Sequence, residues 1–356
     1  MAVTEHAHPR APRLPRPAAT GGAAAPGREP PVHRDGPRGA DGAGPFPVEG
    51  AIPAALDGDL VRIGPSGRPG RPLVCGIRLS GGTARRLALP GLPPALAAEL
   101  AAAGTPGGER AVPGAPQARV VARTGRFWVV YDPPVAYSRA ADLMGDPLPY
   151  RPHGRPARVG LLPRHGHGGP RWFAAEPCAR VVNAFDDGAR VVVDVTGTDI
   201  QGESDARGVE PVLRGPRRWT LDPAGGTVRT APLAGAPEGA AVDPRRAGRR
   251  HQVLFGPDQD GRALVACDLA AGTRRVLALA PGLRAEEPVF VPRGAAEGDG
   301  RLLVPVRDHA RRRAALLVLD ALDPSGTPEA VVTLPFTPPP ADRTLWIPAS
   351  RGPRLG

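Results

Sequence analysis

The sequence predicts an all-β protein, and three observations point to this fold class. The 356 residues include 47 Gly and 48 Pro, more than a quarter of the chain, and both residue types interrupt helices. Short runs rich in Val, Leu and Ile alternate with Gly, Pro, Asp and Asn, the residues that form tight turns. These strand–turn–strand units recur at intervals of tens of residues, which favours a β-propeller. A β-sandwich would show similar strands, so the pattern alone leaves it open.

Four predicted hairpins carry most of this pattern. The paired segments are 181–185 with 190–195, 219–221 with 227–229, 264–269 with 273–277, and 302–306 with 314–319. A further strand, 60–63, follows the Asp57-Gly58 turn. A short helical insertion is predicted over 95–103, because Pro93-Pro94 precede it and Gly104 ends it. We expect the apolar face of this helix to pack on the core; contact with a membrane surface is the alternative.

Composition divides the chain into two regions. Gly, Ala and Pro supply more than half of residues 1–44, where bulky apolar side chains are almost absent. Such a segment cannot bury enough surface to offset the entropy of ordering it, so residues 1–44 are predicted to be a disordered tail. Residues 45–350 are predicted to form one propeller domain. The aromatic content is 4%, so Val, Leu, Ala and Ile must build its core.

The net charge of +11 suggests nucleic-acid binding, but its distribution argues against that function. All 46 basic residues are Arg, and they are scattered instead of alternating with stacking aromatic side chains. Arginine runs at 245–246, 249–250 and 311–313 are expected in solvated loops and strand edges. No apolar run approaches the ~20 residues that span a bilayer, and no signal segment opens the chain. We expect a cytoplasmic protein, with peripheral membrane contact left open.

The three cysteines exclude a zinc knuckle and a redox dithiol. Cys75, Cys178 and Cys267 are far apart, and no Cys-x-x-Cys pair occurs. We therefore expect three free thiols, mostly buried, in a reducing compartment.

Several motifs are more specific than this pattern, and they occur in one consistent order. They are 46–58 (FPVEGAIPAALDG), 62–65 (RIGP), 156–164 (PARVGLLPR), 171–173 (RWF), 176–178 (EPC), 183–188 (NAFDDG), 219–222 (WTLD), 243–251 (DPRRAGRRH), 287–293 (EPVFVPR) and 346–348 (WIP). Together they make the chain similar to the carotenoid cleavage oxygenases, over roughly residues 46–66 and 119–348.

This resemblance implies a seven-bladed β-propeller, here incomplete. Members of the family hold a ferrous iron on the propeller axis with four His side chains, which Glu side chains orient. They cleave an alkene bond of a carotenoid, apocarotenoid or stilbene with dioxygen. Neutral imidazoles suit ferrous iron, and four of them leave positions open for oxygen. The resemblance thus names Fe(II) as the family cofactor and a carotenoid or other apolar isoprenoid as the partner.

The sequence departs from the family at the iron ligands. Counting from the neighbouring motifs places Arg119, Arg180 and Arg343 where the resemblance implies three of the four His. The fourth has no counterpart, because the span between Gly64 and Arg119 is too short for the corresponding blades. A guanidinium stays protonated to about pH 12 and offers no lone pair to a metal. We therefore expect no cofactor in this chain.

Two acidic residues match the family's iron-orienting carboxylates. Glu238 and Glu287 keep those positions, and we expect them to pair with the substituted arginines and neutralise buried charge. Exposure of all these side chains on loops is the alternative. The remaining histidines are not expected to rebuild a metal site. His153, His165 and His167 fall in a Pro/Gly-rich stretch, and His251 and His309 lie beside arginine runs at predicted blade edges.

The sequence therefore leaves three hypotheses. The first is a truncated, divergent family member without dioxygenase activity, which keeps a role in binding an apolar ligand or a protein. The second is an active carotenoid or apocarotenoid dioxygenase with a non-standard metal site. The third is a decayed gene product without a stable fold, because a missing blade would expose strand edges.

Overall fold

The computed structural model describes residues 44–64, 73–87, 118–138, 150–152, 154–165, 168–199, 212–338 and 343–350, with residues 112, 115, 140 and 341. The predicted tail, apart from Gly44, and the predicted helix over 95–103 lie outside these residues. Within the described segments, no helix is both long enough and apolar enough to cross a membrane. A 3-10 helix spans Pro244–Arg246.

The regular secondary structure of the described residues is almost entirely β-strand, as the sequence predicts. In chain order the strands are β1 (Val48–Gly50), β2 (Gly58–Gly64), β3 (Leu73–Ser80), β4 (Thr83–Arg86), β5 (Arg119–Arg123), β6 (Phe127–Asp132), β7 (Val135–Tyr137), β8 (Tyr150–Pro152), β9 (Arg158–Pro163), β10 (Arg171–Ala174), β11 (Cys178–Asp187), β12 (Arg190–Asp199), β13 (Val212–Asp222), β14 (Thr227–Pro232), β15 (Val253–Pro257), β16 (Ala263–Asp268), β17 (Thr273–Ala278), β18 (Leu283–Ala285), β19 (Val289–Pro292), β20 (Gly300–Asp308), β21 (Arg313–Asp320), β22 (Ala330–Leu334) and β23 (Arg343–Pro348).

These strands form antiparallel sheets with the connectivity of propeller blades. The sheet orders are β23-β2-β3-β4, β5-β6-β9-β10, β11-β12-β13-β14, β15-β16-β17, and β20-β21-β22-β1 with both β18 and β19 on the free side of β20. The short strands β7 and β8 pair separately. A bridge between Ala241 and Phe255 supplies an inner neighbour for β15. The described residues thus account for five blades, three of which are built only from strands that are close in sequence.

Burial varies systematically across each blade. The second strands are the most buried: β20 is buried at every position but one, and β2 shows the same pattern. The outer strand β14 is largely exposed, whereas every residue of the innermost strand β23 is half-buried. The inner strands of neighbouring blades touch, β5 beside β11 and β19 beside β23. These contacts place inner strands of neighbouring blades side by side, and β23 is partly accessible to water.

The blade β23-β2-β3-β4 joins the two ends of the described chain. β23 pairs with β2 from Gly58↔Pro348 to Ile63↔Arg343. The β1 strand likewise pairs with β22, from Val48↔Val332 to Gly50↔Ala330. In both blades a strand from the beginning of the described chain is hydrogen-bonded to one near its end, as in propellers that close by strand exchange.

The hairpins predicted from the sequence are confirmed. β11 and β12 pair around the turn at 188–189, and the turns at 223–226 and 269–272 connect β13 to β14 and β16 to β17. The β20–β21 turn contains Arg312 at φ 50°, an uncommon conformation for a side chain with a Cβ. The thiols are free as expected, with Cys178 and Cys267 buried and Cys75 half-buried.

Close packing at Gly58 provides a test of the β2–β23 junction. A Cβ added there would lie 2.4 Å from the carbonyl oxygen of Ile347 and 2.7 Å from the Trp346 ring. We expect Gly58→Ala to lower the free energy of unfolding by about 1–3 kcal/mol, because overpacking forces the two strands apart. Urea denaturation followed by circular dichroism measures this change. Gly169→Ala is the control, since its Cβ meets nothing within 4 Å. Equal stability of the two variants would contradict the tight junction.

Candidate functional site

The five residues that the sequence singles out lie at or just before the beginnings of inner strands. Arg119 is the first residue of β5, Arg343 the first of β23, and Arg180 the third of β11. Glu287 precedes β19 by two residues, and Glu238 lies before the bridge that extends the β15 sheet. Adjacent inner strands bring Arg180, Arg343 and Glu287 into one group, which we call the axial cluster.

Arg180 and Glu287 form the ion pair at the centre of this cluster. The Nη1 of Arg180 donates to Oε2 of Glu287, and its Nη2 donates to the carbonyl oxygen of Ala240 at 2.6 Å. The guanidinium therefore connects three blades through β11, the β19 sheet and the segment before β15. The Arg180 and Glu287 side chains are 38% and 39% exposed. Water screens the pair, so it neutralises partly exposed charge, not the deeply buried charge expected from the sequence.

Arg343 completes the axial cluster. Burial lowers the pKa of its guanidinium, the attraction of Glu287 raises it, and the repulsion of Arg180 lowers it further. The half-buried Arg343 guanidinium makes no hydrogen bond or ion pair with any of the described residues. Two guanidinium groups thus face one carboxylate, and the axial cluster carries a net positive charge.

The structure does not bring Arg119 or Glu238 into this cluster. Arg119 is exposed, and neither residue forms an ion pair within the described part of the chain. Burial raises the pKa of the Glu238 carboxyl. Glu238 instead lines a cavity of about 520 Å³, whose other polar side chains are Thr196, Asp258, Gln259, Asp260, Arg284 and His309.

A second charged group, next to the cluster, was not singled out from the sequence. Glu286 forms ion pairs with both Arg62 of β2 and Arg307 of β20. Both arginine side chains are almost fully buried, at 3% and 7% exposure. Glu286 and Glu287 are consecutive residues between β18 and β19. This short segment therefore binds the buried arginines through Glu286 and Arg180 through Glu287. Arg62 lies within the 62–65 motif, but the motif gives no sign of its partners.

His251, predicted to lie at a blade edge, is just before β15 and is buried. Its Nε2 lies 3.0 Å from Oδ2 of Asp194, and its Nδ1 lies 2.9 Å from Nδ2 of Asn183. Arg218 donates two hydrogen bonds of 2.7 Å to the same Asp194 carboxylate. Asn183 Nδ2 also lies within hydrogen-bonding distance of the Arg246 and Arg249 carbonyl oxygens. A buried polar network next to the arginine run at 249–250 therefore joins two blades.

Asp194 was the sequence signal for this network. It interrupts an apolar run within β12 and is completely buried. A buried carboxylate requires partners, because an isolated charge in the interior is costly. The other histidines are elsewhere: His165 and His309 are exposed, and His6, His8, His33, His153 and His167 lie outside the described residues.

The donor chemistry of the axial cluster does not fit a ferrous ion. Arginine nitrogens carry protons and no available lone pair, and two guanidinium cations repel a metal ion. Across the described segments, no group of three His, Cys, Asp or Glu side chains could hold a metal ion. The correspondence between the arginine positions and the family's His ligands stays a prediction.

Comparison with known proteins adds independent information. The family model described as retinal pigment epithelial membrane protein matches residues 118–342. An apocarotenoid-15,15'-oxygenase from Synechocystis sp. is 30% identical over 198 residues, which are 51% of this chain and 40% of the relative. A carotenoid cleavage oxygenase from Mycobacterium tuberculosis is 32% identical over 248 residues, 62% of this chain and 48% of the relative. The chain spans about half the length of the curated relatives it matches.

Solved structures share the fold at low sequence identity. Cobalt-substituted Synechocystis apocarotenoid oxygenase gives a TM-score of 0.64 at 18% identity, covering 85% of this chain and 95% of that chain. A tryptophan-to-alanine mutant of the same oxygenase gives 0.66 at 18% identity, covering 86% and 96%. These similarities identify the fold as a β-propeller.

The axial ion pair predicts unequal effects of two arginine substitutions. Arg180→Ala removes a charge-assisted bond to Glu287 and a bond to the Ala240 carbonyl, so we expect a loss of about 1 kcal/mol in unfolding free energy. Arg119→Ala should change it by less than about 0.5 kcal/mol, as is usual for exposed positions. Urea denaturation of both variants measures the difference. Unchanged stability in Arg180→Ala would argue that the pair contributes nothing to the fold.

The Asp194 network predicts a specific loss of stability in acid. Burial opposes ionisation of Asp194, but hydrogen bonds from Arg218 and His251 outweigh it and hold its pKa below the ordinary 3.8. The unfolded state therefore binds the proton more readily. The contribution to stability is present above about pH 3.8 and is lost as the pH falls through the native pKa.

Asp194→Asn is the variant that tests this linkage. At neutral pH we expect it to lower the unfolding free energy by about 3–5 kcal/mol, because Arg218 and His251 lose a buried ionic partner. The difference in unfolding free energy between this variant and the unmodified chain should become smaller as the pH falls below 3.8. Asp260→Asn, at an exposed carboxylate, is the control and should track the unmodified chain throughout. A difference in unfolding free energy that does not change with pH would refute the role of Asp194 ionisation.

Proposed function

The chain belongs to the carotenoid cleavage oxygenase family, and from this premise we propose that it is a catalytically inactive member that binds an apolar isoprenoid without cleaving it. Membership rests on the family model, which matches residues 118–342. The chain is partial and divergent relative to the proteins it matches. Its activity and ligand are therefore inferences from its own residues.

The observation that carries the proposal is the hydrogen bonding of Arg180. Its Nη1 donates to Glu287, a carboxylate that matches one that would orient an iron-bound imidazole in the family. Here the same carboxylate receives a guanidinium directly, and no imidazole lies between them. Arg180 thus satisfies Glu287 without a metal. The positive charge of Arg343 beside this pair further disfavours a cation.

The proposed ligand class follows from the family and from what the fold retains. Relatives of this chain carry the names carotenoid cleavage oxygenase and apocarotenoid-15,15'-oxygenase. A propeller that keeps part of their blade framework can keep a surface for the same class of ligand while losing the reaction. We place this role in the cytoplasm, with peripheral membrane contact as the route by which a water-insoluble isoprenoid reaches the protein.

Metal content and cleavage activity test the proposal together. The purified chain is loaded anaerobically with ferrous iron, desalted, and assayed for iron by mass spectrometry. It is then mixed in air with a carotenoid and an apocarotenal, and bleaching of the polyene absorption is followed. We expect iron far below one per chain and no bleaching above a metal-free sample, because the axial guanidinium groups exclude the ion.

The Synechocystis apocarotenoid oxygenase, treated identically, is the positive control for loading and bleaching. Near-stoichiometric iron together with bleaching would overturn the proposal. That result would establish the other hypothesis, an active dioxygenase with a non-standard metal site.

A further inference from the structure

The axial cluster has more positive than negative charge. Arg180 and Glu287 neutralise each other through their ion pair. Arg343 adds a second guanidinium that interacts electrostatically with both of them. The excess of one positive charge lies where the inner strands β19 and β23 meet. A site of this kind attracts an anion.

Arg343 lies on the strand beside β19 and interacts electrostatically with Glu287, with no hydrogen bond between the two side chains. Its guanidinium is half-buried, and within the described residues no carboxylate or carbonyl accepts from it. Partial removal of a cation from water is unfavourable unless another group compensates it. The pairing of β23 with β2 fixes this position, because Arg343 is in register with Ile63. The fold thus holds a partly desolvated cation whose hydrogen-bond donors are not used by any described residue.

The neighbouring Arg180 can contribute donors to the same ligand. An arginine carries five N–H donors, and two of those on Arg180 are used by Glu287 and Ala240. Planar guanidinium groups bind carboxylates through two parallel hydrogen bonds, which adds geometric selectivity to charge attraction. Neutral alcohols, aldehydes and hydrocarbons gain nothing comparable from the excess charge.

We propose that Arg343, together with Arg180, binds the carboxylate of an anionic apolar ligand at the axial cluster. This inference rests on the proposed function, because it names the class of isoprenoid that the inactive propeller takes. The ligand is an isoprenoid acid, the oxidised counterpart of an apocarotenoid aldehyde.

The test compares two ligands that share a polyene chain and differ in the head group. All-trans-retinoate carries a carboxylate, and all-trans-retinol carries a neutral hydroxyl. Binding is followed by quenching of the fluorescence of the four tryptophans, one of which, Trp346, is on β23. We expect retinoate to bind roughly tenfold to a hundredfold more tightly, the ratio that a hydrogen bond to a charged group supports.

Substitutions of Arg343 locate this preference. Arg343→Gln should reduce the ratio of the affinities for retinoate and retinol to near one. Arg343→Lys should keep part of the preference for retinoate, because the positive charge remains. Arg229→Gln, on the exposed outer strand β14, is the matched control and should bind as the unmodified chain does. Thermal unfolding checks that each variant is folded, and the comparison of the two retinoids in the unmodified chain needs no variant.

Competition by acetate distinguishes the source of the anion. Displacement of retinoate by millimolar acetate would assign the site to small free carboxylates, whereas resistance would assign it to the head group of an apolar acid. Equal affinity for retinoate and retinol would overturn the inference and leave the proposed function standing. Stoichiometric iron with bleaching would instead overturn the proposed function. Loss of the preference in Arg229→Gln as well would contradict the assignment to Arg343.

Discussion

The pairing of β23 with β2 is the interaction on which the rest of the structure depends. It completes one blade from strands that are almost 300 residues apart in the chain, and it lays β23 against β19 of the next blade. That contact brings Arg343 to the carboxylate of Glu287. Without this pairing β2 would be an open edge, and the axial cluster would lose one of its two cations.

Glu286 and Glu287 show how consecutive carboxylates can serve different purposes. Glu286 receives two nearly buried arginines from β2 and β20, so it connects two blades in the interior. Glu287 points to the axis, where its partner Arg180 is two-fifths exposed. The first arrangement stabilises the fold because a buried charge without its partner is costly. The second contributes less to stability, because water screens a partly exposed pair.

Local features of the fold could be predicted from the sequence, and contacts between blades could not. The β11–β12 hairpin follows from Asp186-Asp187-Gly188 between two β-prone runs, since turn type and pairing are set by neighbouring residues. Arg180 and Glu287 were singled out because each lies at a fixed offset within a motif. The Arg62–Glu286–Arg307 ion pairs could not be predicted, because they depend on which blades are neighbours in space. The burial of His251 could not be predicted, because its partners Asp194 and Asn183 lie in another blade.

The three-blade connection of Arg180 limits which side chains its position can accept. Its guanidinium reaches both Glu287 and the Ala240 carbonyl, and these two bonds use two different nitrogens of one planar group. Lysine would keep the charge but offer a single nitrogen, and glutamine would keep the amide donors without the charge. One residue therefore decides whether a single side chain joins three blades.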